Sequence, residues 1–413
     1  MAGGRKASTE DDPMIQLDEI DVPYGASIDE VIGIVNKRAK REVLKRASDA
    51  SSPFLLRRPF GIASMDCACG GGMAAGGVTQ IAAPAGIGKN ALANQAIATA
   101  QKLYEDDARI GWIWLELPYD KEHARINGVI VPSSMADIKL ENLERVKRGY
   151  QPLNDDQIAR RQIECGEFII ADEGSTEERL QACLDLIADN QCQLVVLDSI
   201  ASVVSHYRVD TDLNEEPRQA ATAWLLTEFQ RMLWHHFGNP AYGSMNMTTM
   251  LIINQVRANR NKRGPFDREW VSQGAYAIRH GKLLDITMAP GRRIPEKPTK
   301  SKPRVGKWVR WEVTKGKAGC HEGGKGEIPY YFAHGFDTYA DVVVTANSLD
   351  LLPKNGNGRD LIRKSSGEVI HEKLPWGKEG KALIREVYTN PDLFEDMYYA
   401  CLEAAEVSCL HRL

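Results

Sequence analysis

The sequence has no apolar run near the roughly 20 residues that a membrane-spanning helix needs. Residues 1–20 are polar and acidic, without the apolar stretch of a signal peptide, and read as a disordered tail. Cysteine is sparse, 8 in 413 residues without repeated spacing, which excludes a disulfide scaffold and suits a reducing, cytoplasmic compartment. Cys67-Ala68-Cys69 and Cys320-His321 are not spaced as a zinc site. There is no internal repeat and no long acidic tail. Neither charge dominates: 52 Lys and Arg face 56 Asp and Glu, a net charge of −4. What is present is an ordinary globular composition, 43 % hydrophobic, long enough for two or three domains with a large core.

The near-neutral total hides local asymmetry. Between Gly291 and Lys317 ten basic residues face only Glu296 and Glu312, and between Arg257 and Trp270 five basic residues face two acids. A polyanion partner suits such stretches, although a solvated loop is the commoner reading of any one charge run. Ile28 to about residue 48 has helical apolar spacing, with Ser27 as N-cap and a basic second half.

From Phe60 onward, glycine-rich loops separate short apolar runs. Strands are expected at 78–82, 110–115, 168–171, 194–197 and 249–253, with helices at 91–103, 176–190 and 218–237 between them. Further strands are expected at 283–289 and 308–314. Continuous apolar strands alternating with amphipathic helices predict an α/β fold with a mostly parallel sheet covered on both faces. Trp112 and Trp114 alternate on one such strand and read as core. No role is assigned to 127–165, which is rich in Glu, Arg, Asn and Asp.

The most specific local motif is Ala83-Pro84-Ala85-Gly86-Ile87-Gly88-Lys89-Asn90, with Ala91 opening the helix. It follows a strand and approximates the phosphate loop G-x-x-x-x-G-K-[ST], in which main-chain N–H groups curl round phosphate oxygens. Ala83 replaces the first glycine. Asn90 replaces the Ser or Thr that would ligate Mg²⁺, which puts metal affinity and hydrolysis in question. By itself the stretch also reads as a glycine-rich turn with one exposed lysine. Leu194-Val195-Val196-Leu197-Asp198 strengthens the phosphate reading, since an apolar strand ending in Asp has the Walker B form.

These motifs, taken in order, resemble the RecA recombinase family, phage members included, over about residues 55–405. The resemblance rests on Pro59 to Asp66 with its following glycines, on Trp114-Leu115-Glu116 with Asp120 and His123, on Asp198-Ser199-Ile200-Ala201, on Asn254-Gln255-Val256-Arg257, and on Lys315-Gly316-Lys317. It implies a RecA-like core at 51–334, a tail and N-terminal oligomerisation helix within 1–50, and a small α/β C-terminal domain at 335–413. It implies ATP with Mg²⁺, the metal held by Asn90 and Asp198. Glu116 would orient the attacking water, Lys89 and Gln255 would meet the phosphates, and Lys315 and Lys317 would reach a neighbour's nucleotide. Asp120 and His123 would face the adenine; the family usually has an aromatic ring at the second position.

The same resemblance makes the basic segment after Gln255 a nucleotide-sensitive DNA-binding loop, with Arg257, Arg260, Lys262, Arg263 and Arg268 on phosphates and Phe266 and Trp270 on bases. A first loop at 204–216 contributes Arg208, and Arg218 follows it. The basic stretch 292–310 adds phosphate contacts, and the N-terminal helix either packs on a neighbour or binds DNA itself. The expected protein is a DNA-dependent ATPase that forms helical filaments on single-stranded DNA and pairs it with duplex, in a bacterial nucleoid or phage-infected cell and away from membranes. A hydrolysis-poor structural or mediator paralogue is the alternative that Asn90 motivates; a ring helicase is the second.

Overall fold

A computed structural model describes residues 26–40, 44–46, 48, 56–116, 119–203, 219–238, 246–258, 270–272, 281–295, 299, 301, 303–317 and 319–407. The chain forms two compact units, Met1–Ser52 and Pro53–Leu413.

In the first unit, a helix spans Ile28–Ala39. Ser27 and Glu30 form a reciprocal capping box that satisfies two main-chain donors at its start. The helix stops well short of residue 48. Lys40 turns left-handed at φ 51°, and the Asn36 amide bonds both the N–H and the carbonyl of Leu44, which folds the chain back. None of the helix residues is buried within the unit.

The second unit is built on a ten-stranded sheet. After the short pair β1 (Arg57–Arg58) and β2 (Met73–Ala74) come β3 (Gly77–Ala83), β4 (Arg109–Trp114), β5 (Glu167–Ala171), β6 (Leu194–Asp198), β7 (Thr249–Ala258), β8 (Trp270–Ser272), β9 (Leu284–Ile294), β10 (Gly306–Gly316), β11 (Lys325–Tyr331) and β12 (Gly335–Phe336). The order is β12-β11-β10-β9-β3-β7-β6-β4-β5, with β8 paired to β7. The stretch from β9 to β5 is parallel; β10, β11 and β12 extend it in antiparallel fashion.

The central strands read as unbroken apolar runs because each serves two cores. Alternate residues point to opposite faces. Trp112, Val196, Leu251 and Ile81 enter one core with helix Lys89–Tyr104, while Ile113, Val195, Met250 and Val78 enter the other with helices Thr176–Ala188 and Gln219–Gly238. Trp112 and Trp114 are buried, as expected of core residues.

A third apolar cluster belongs to the C-terminal residues. Helices Thr338–Ser348, Lys381–Thr389 and Pro391–Ala404 pack there beside a small antiparallel sheet of β13 (Lys354–Asn355), β14 (Gly358–Ile362) and β15 (Val369–Pro375). Two buried carboxylates tie this layer to the segment before the phosphate loop. Asp66 accepts from the N–H groups of Phe60, Gly61 and Ile62 and from the Tyr398 hydroxyl. Asp341 accepts from Ser64 N–H and Oγ.

The stretch 127–165 holds two short helices, Met135–Lys147 and Asp155–Arg161, each opened by a capping box. Within 292–310, residues 292–294 close β9 and 306–310 open β10, and the two strands pair antiparallel.

Candidate nucleotide-binding cleft

A parallel sheet gathers the carboxyl ends of its strands along one edge, where ligands bind in such folds. Here Ala83 at the end of β3 lies in register with Gln255 on β7, and Trp114 at the end of β4 lies in register with Asp198 at the end of β6. The phosphate-loop stretch, Glu116, Asp198 and Gln255 therefore meet at one crevice of about 560 Å³. Its lining holds Ala85, Gly86, Gly88, Lys89, Asn90, Ala91, Asp120 and His123 of the expected site residues as well. Ala83 and Ile87 are buried in the core beneath and anchor the loop, with Pro84 between solvent and core.

The two glycines are required by conformation more than by space. Gly86 has φ +71° and Gly88 φ +120°, values that L side chains rarely adopt, while a Cβ on Gly86 would meet nothing within 4 Å. Gly88 is also the N-cap of the 16-residue helix Lys89–Tyr104 and offers no side-chain cap. The first-turn N–H groups thus stay available to an anion.

Lys89 is buried, and its ammonium donates to the carbonyls of Ala83 at 3.2 Å and Pro84 at 3.1 Å. Burial lowers its pKa, and the charges of Glu116 and Asp198 oppose that shift. The Asp198 carboxyl is pushed up to about 6, chiefly by burial and then by Glu116, with Lys89 and a hydrogen bond from Asn90 pulling the other way.

Glu116 is held from two sides. Ser199 Oγ donates to its Oε2 at 2.9 Å and Gln255 Nε2 donates to its Oε1 at 2.6 Å. Ser199 was not anticipated as a partner of this carboxylate. Behind Gln255, Asn254 begins a polar path across the buried sheet: it donates to Gln80 at 3.3 Å, Gln80 donates to Asp285 at 3.0 Å, and Lys282 donates to Asp285 at 2.6 Å.

The pair expected to ligate Mg²⁺ is arranged differently. Asn90 donates its Nδ2 to Asp198 Oδ2 at 2.7 Å. A donor N–H sits where a metal would need a ligand oxygen, and one carboxylate oxygen is already taken. Among the described residues no group of three or more His, Cys, Asp or Glu is placed to hold a metal ion. As arranged, the two side chains do not fit a divalent cation.

At the other end of the cleft, Asp120 and His123 lie as neighbours of the lining, but Asp120 has a structural task. Its carboxylate caps helix Lys121–Ile126 by accepting from His123 N–H at 3.0 Å. Asn94 Nδ2 faces His123 Nδ1 at 3.3 Å, and the Tyr330 hydroxyl faces His123 Nε2 at 3.4 Å. Tyr119, Trp112, Tyr330 and Phe332 complete this end. These aromatics converge from segments more than 200 residues apart, so no local motif marks them. Lys307 lies between the two ends, against the phosphate loop and over the Tyr330 ring. It was grouped with the basic stretch, yet it is buried in the cleft and donates to the Gly86 carbonyl.

Lys315 and Lys317 do not line this cleft. Lys315 lies eight residues beyond Lys307 on the extended β10, about 26 Å away at the usual rise. Arg292 sits over the Trp308 ring at 5.3 Å and pairs with Glu327 at 3.1 Å, Arg304 sits over Phe332 at 5.4 Å, and Arg310 donates to the Pro290 carbonyl at 3.0 Å. Arg208, Arg218, Arg260, Lys262, Arg263, Phe266 and Arg268 lie outside the described residues, and Arg257 and Trp270 are described in their main chain only. There Arg257 pairs with Val271 and Ala258 with Trp270, so β7 and β8 bracket 259–269 as an antiparallel pair.

The mostly parallel sheet, with helices on both faces and a crevice at its strand ends, defines an α/β protein with a RecA-like core. No family model matches the chain. Protein RecA of Leptospira biflexa is 24 % identical over 370 residues, covering 89 % of this chain and 80 % of the relative. Protein RecA of Kineococcus radiotolerans is 23 % identical over 377 residues, covering 90 % and 89 %. Protein RecA of Lactococcus lactis subsp. cremoris strain MG1363 is 23 % identical over 306 residues, covering 73 % and 67 %. The fold and the ordered motifs agree with this similarity to RecA proteins over most of the chain. Among the described residues no helix is long and apolar enough to cross a membrane.

Proposed function

We propose that the chain is an ATP-dependent DNA recombinase that assembles as a helical filament on single-stranded DNA and pairs it with homologous duplex. The observation that carries this reading is the hydrogen bond from Gln255 to Glu116 at 2.6 Å. It joins the residue suited to activate water to the strand that runs directly into the basic segment. A γ-phosphate in the cleft competes for the Gln255 amide. Glu116 is then released to orient the attacking water, and the displaced Gln255 carries the change along β7 into the loop. ATP state and DNA affinity are thereby coupled.

On this reading Lys89 and the open helix N-terminus hold the phosphates, and Asp120, His123 and the aromatic end hold the base. Arg257, Arg260, Lys262, Arg263 and Arg268 follow the DNA backbone, Phe266 and Trp270 stack on bases, and Arg208 and Arg218 add contacts. Binding is salt-sensitive and largely independent of sequence. Residues 292–310 contribute further phosphate contacts. The helix within 1–50 packs on a neighbour, Lys315 and Lys317 reach that neighbour's nucleotide, and 335–413 helps admit duplex. A head-to-tail contact of this kind does not close and so generates a filament. The working compartment is the cytoplasm.

The test is ATP hydrolysis with and without single-stranded DNA, with negative-stain images of the same samples. DNA-stimulated turnover with helical filaments is the expected result; closed rings with strand displacement would overturn it. One observation favours a second reading, a hydrolysis-poor filament protein: Asn90 is tied to Asp198. Filaments without turnover select that reading, and Asn90→Thr then restores hydrolysis.

A further inference from the structure

Lys307 stands at an inward-facing position of a sheet. On β10 the side chains of Lys307, Val309, Trp311 and Val313 are buried in alternation, while Arg310 and Glu312 are exposed. A lysine in that row must bring its charge out of water, which is costly without an ionic partner. Its ammonium instead donates to the carbonyl of Gly86, at the tip of the phosphate loop, and lies over the Tyr330 ring at 5.5 Å from the centroid. The register between β9 and β10 shifts between Lys307 and Val309, a bulge of the kind that re-aims a side chain beside a site. Lys89, three residues after Gly86 in the chain, makes the same compromise by donating to the carbonyls of Ala83 and Pro84. Two buried ammoniums are therefore turned onto one loop by main-chain oxygens, which are weaker partners than an anion. Next to Lys89 in the chain, Asn90 donates to Asp198 where an oxygen ligand for a metal is expected.

We infer that Lys307 is a second phosphate-binding lysine, and that Lys89 and Lys307 together let this cleft hold a nucleoside polyphosphate with little help from a divalent cation. The inference rests on the nucleotide-binding reading above. When phosphates enter, both ammoniums exchange carbonyls for phosphate oxygens, and the positive charge that Mg²⁺ commonly supplies to the polyphosphate is supplied by the protein. Lys307 touches the ligand but takes no part in bond cleavage.

The experiment is titration of the full-length chain with ATP, ADP and adenosine, in Mg²⁺ and again in EDTA, for the native protein, Lys307→Met and Lys307→Arg. Native affinity for ATP is expected to change less than about fivefold on removing Mg²⁺. Lys307→Met is expected to weaken ATP and ADP by about tenfold or more, as for a lost charge-assisted hydrogen bond, most strongly in EDTA, and to leave adenosine unchanged. Lys307→Arg is expected to retain most of the affinity. A uniform loss for adenosine and ATP alike would indicate a structural lysine and overturn the inference, as would ATP binding by Lys307→Met equal to native. Loss of native ATP binding in EDTA overturns the metal-independent part. If the native chain binds no nucleotide even with Mg²⁺, it is the underlying nucleotide reading that fails. Melting curves of each variant separate unfolding from lost contact.

Discussion

The two ends of the cleft are built in different ways. The end proposed for the phosphates is mostly main chain: one continuous loop with two glycines at positive φ and an uncapped helix start. The end proposed for the base is a mosaic of side chains, with Asn94 from one helix, Tyr119 and His123 from the next segment, and Tyr330 and Phe332 from the antiparallel extension. A loop of the first kind is fixed by backbone conformation, so its residue types and spacing are constrained. A mosaic of the second kind needs only rings and amides to converge, and many sequences achieve that. The phosphate end should therefore fail sharply on single substitutions, and the base end gradually.

The largest expected effect concerns chemistry at the phosphate end. Glu116→Gln keeps the contacts to Ser199 and Gln255 within reach but removes the base, so ATP turnover should fall by about 10²–10⁴-fold. Nucleotide affinity should stay within a few-fold, and comparing steady-state turnover with equilibrium binding checks both. Next is Lys89→Ala, expected to weaken ATP by at least about 100-fold through loss of a buried charge-assisted contact and to abolish nucleotide-dependent DNA binding. DNA binding that remained ATP-dependent in this variant would break the comparison at its firmer end.

What could be read from the sequence follows the same division. The alternating strands and helices were legible because a sheet buried on both faces leaves unbroken apolar runs such as Leu194–Leu197. Ala83 to Asn90 was legible because glycine positions report backbone conformation. The partner of Glu116 was not, since Ser199 meets it across 83 residues of chain. Lys307 sits within a basic run, and a charge count carries no direction; the alternation Lys307-x-Val309-x-Trp311-x-Val313 carries the signal that it faces inward. The N-terminal helix is shorter than its composition suggests, because basic residues continue past Lys40, where a left-handed turn ends it.

A paired substitution sharpens the contrast. Gly86→Ala adds a methyl that meets nothing, so its cost is conformational, about 1–2 kcal/mol for a forced positive φ. It should weaken ATP and inorganic triphosphate equally. Phe332→Ala removes a ring that is 46 % exposed at the cleft mouth. It should weaken ATP by about tenfold, the scale of one base stacked on an aromatic ring, and leave triphosphate unchanged. If Phe332→Ala also weakened triphosphate, the two ends would not be separable.

The smallest expected effect is a pH dependence at the base end. The His123 ring has Asn94 Nδ2 against Nδ1, so that nitrogen must accept, while Nε2 faces the Tyr330 hydroxyl and lies 3.4 Å from Asn127 Nδ2. A second ring proton would point at the Asn94 amide protons. Burial lowers the pKa of His123 below its ordinary 6.5, with Asp120 opposing. The folded ring therefore resists a proton that the unfolded chain accepts. Its contribution to stability is full above pH 6.5 and is lost as pH falls toward the depressed folded value. Melting curves from pH 8 to 5 should thus decline slightly more in the native chain than in His123→Gln, whose amide can still accept and donate but does not titrate. A steeper decline in the variant would mean that the ring is held charged, and the base end would then be a cation site instead of a neutral stacking surface.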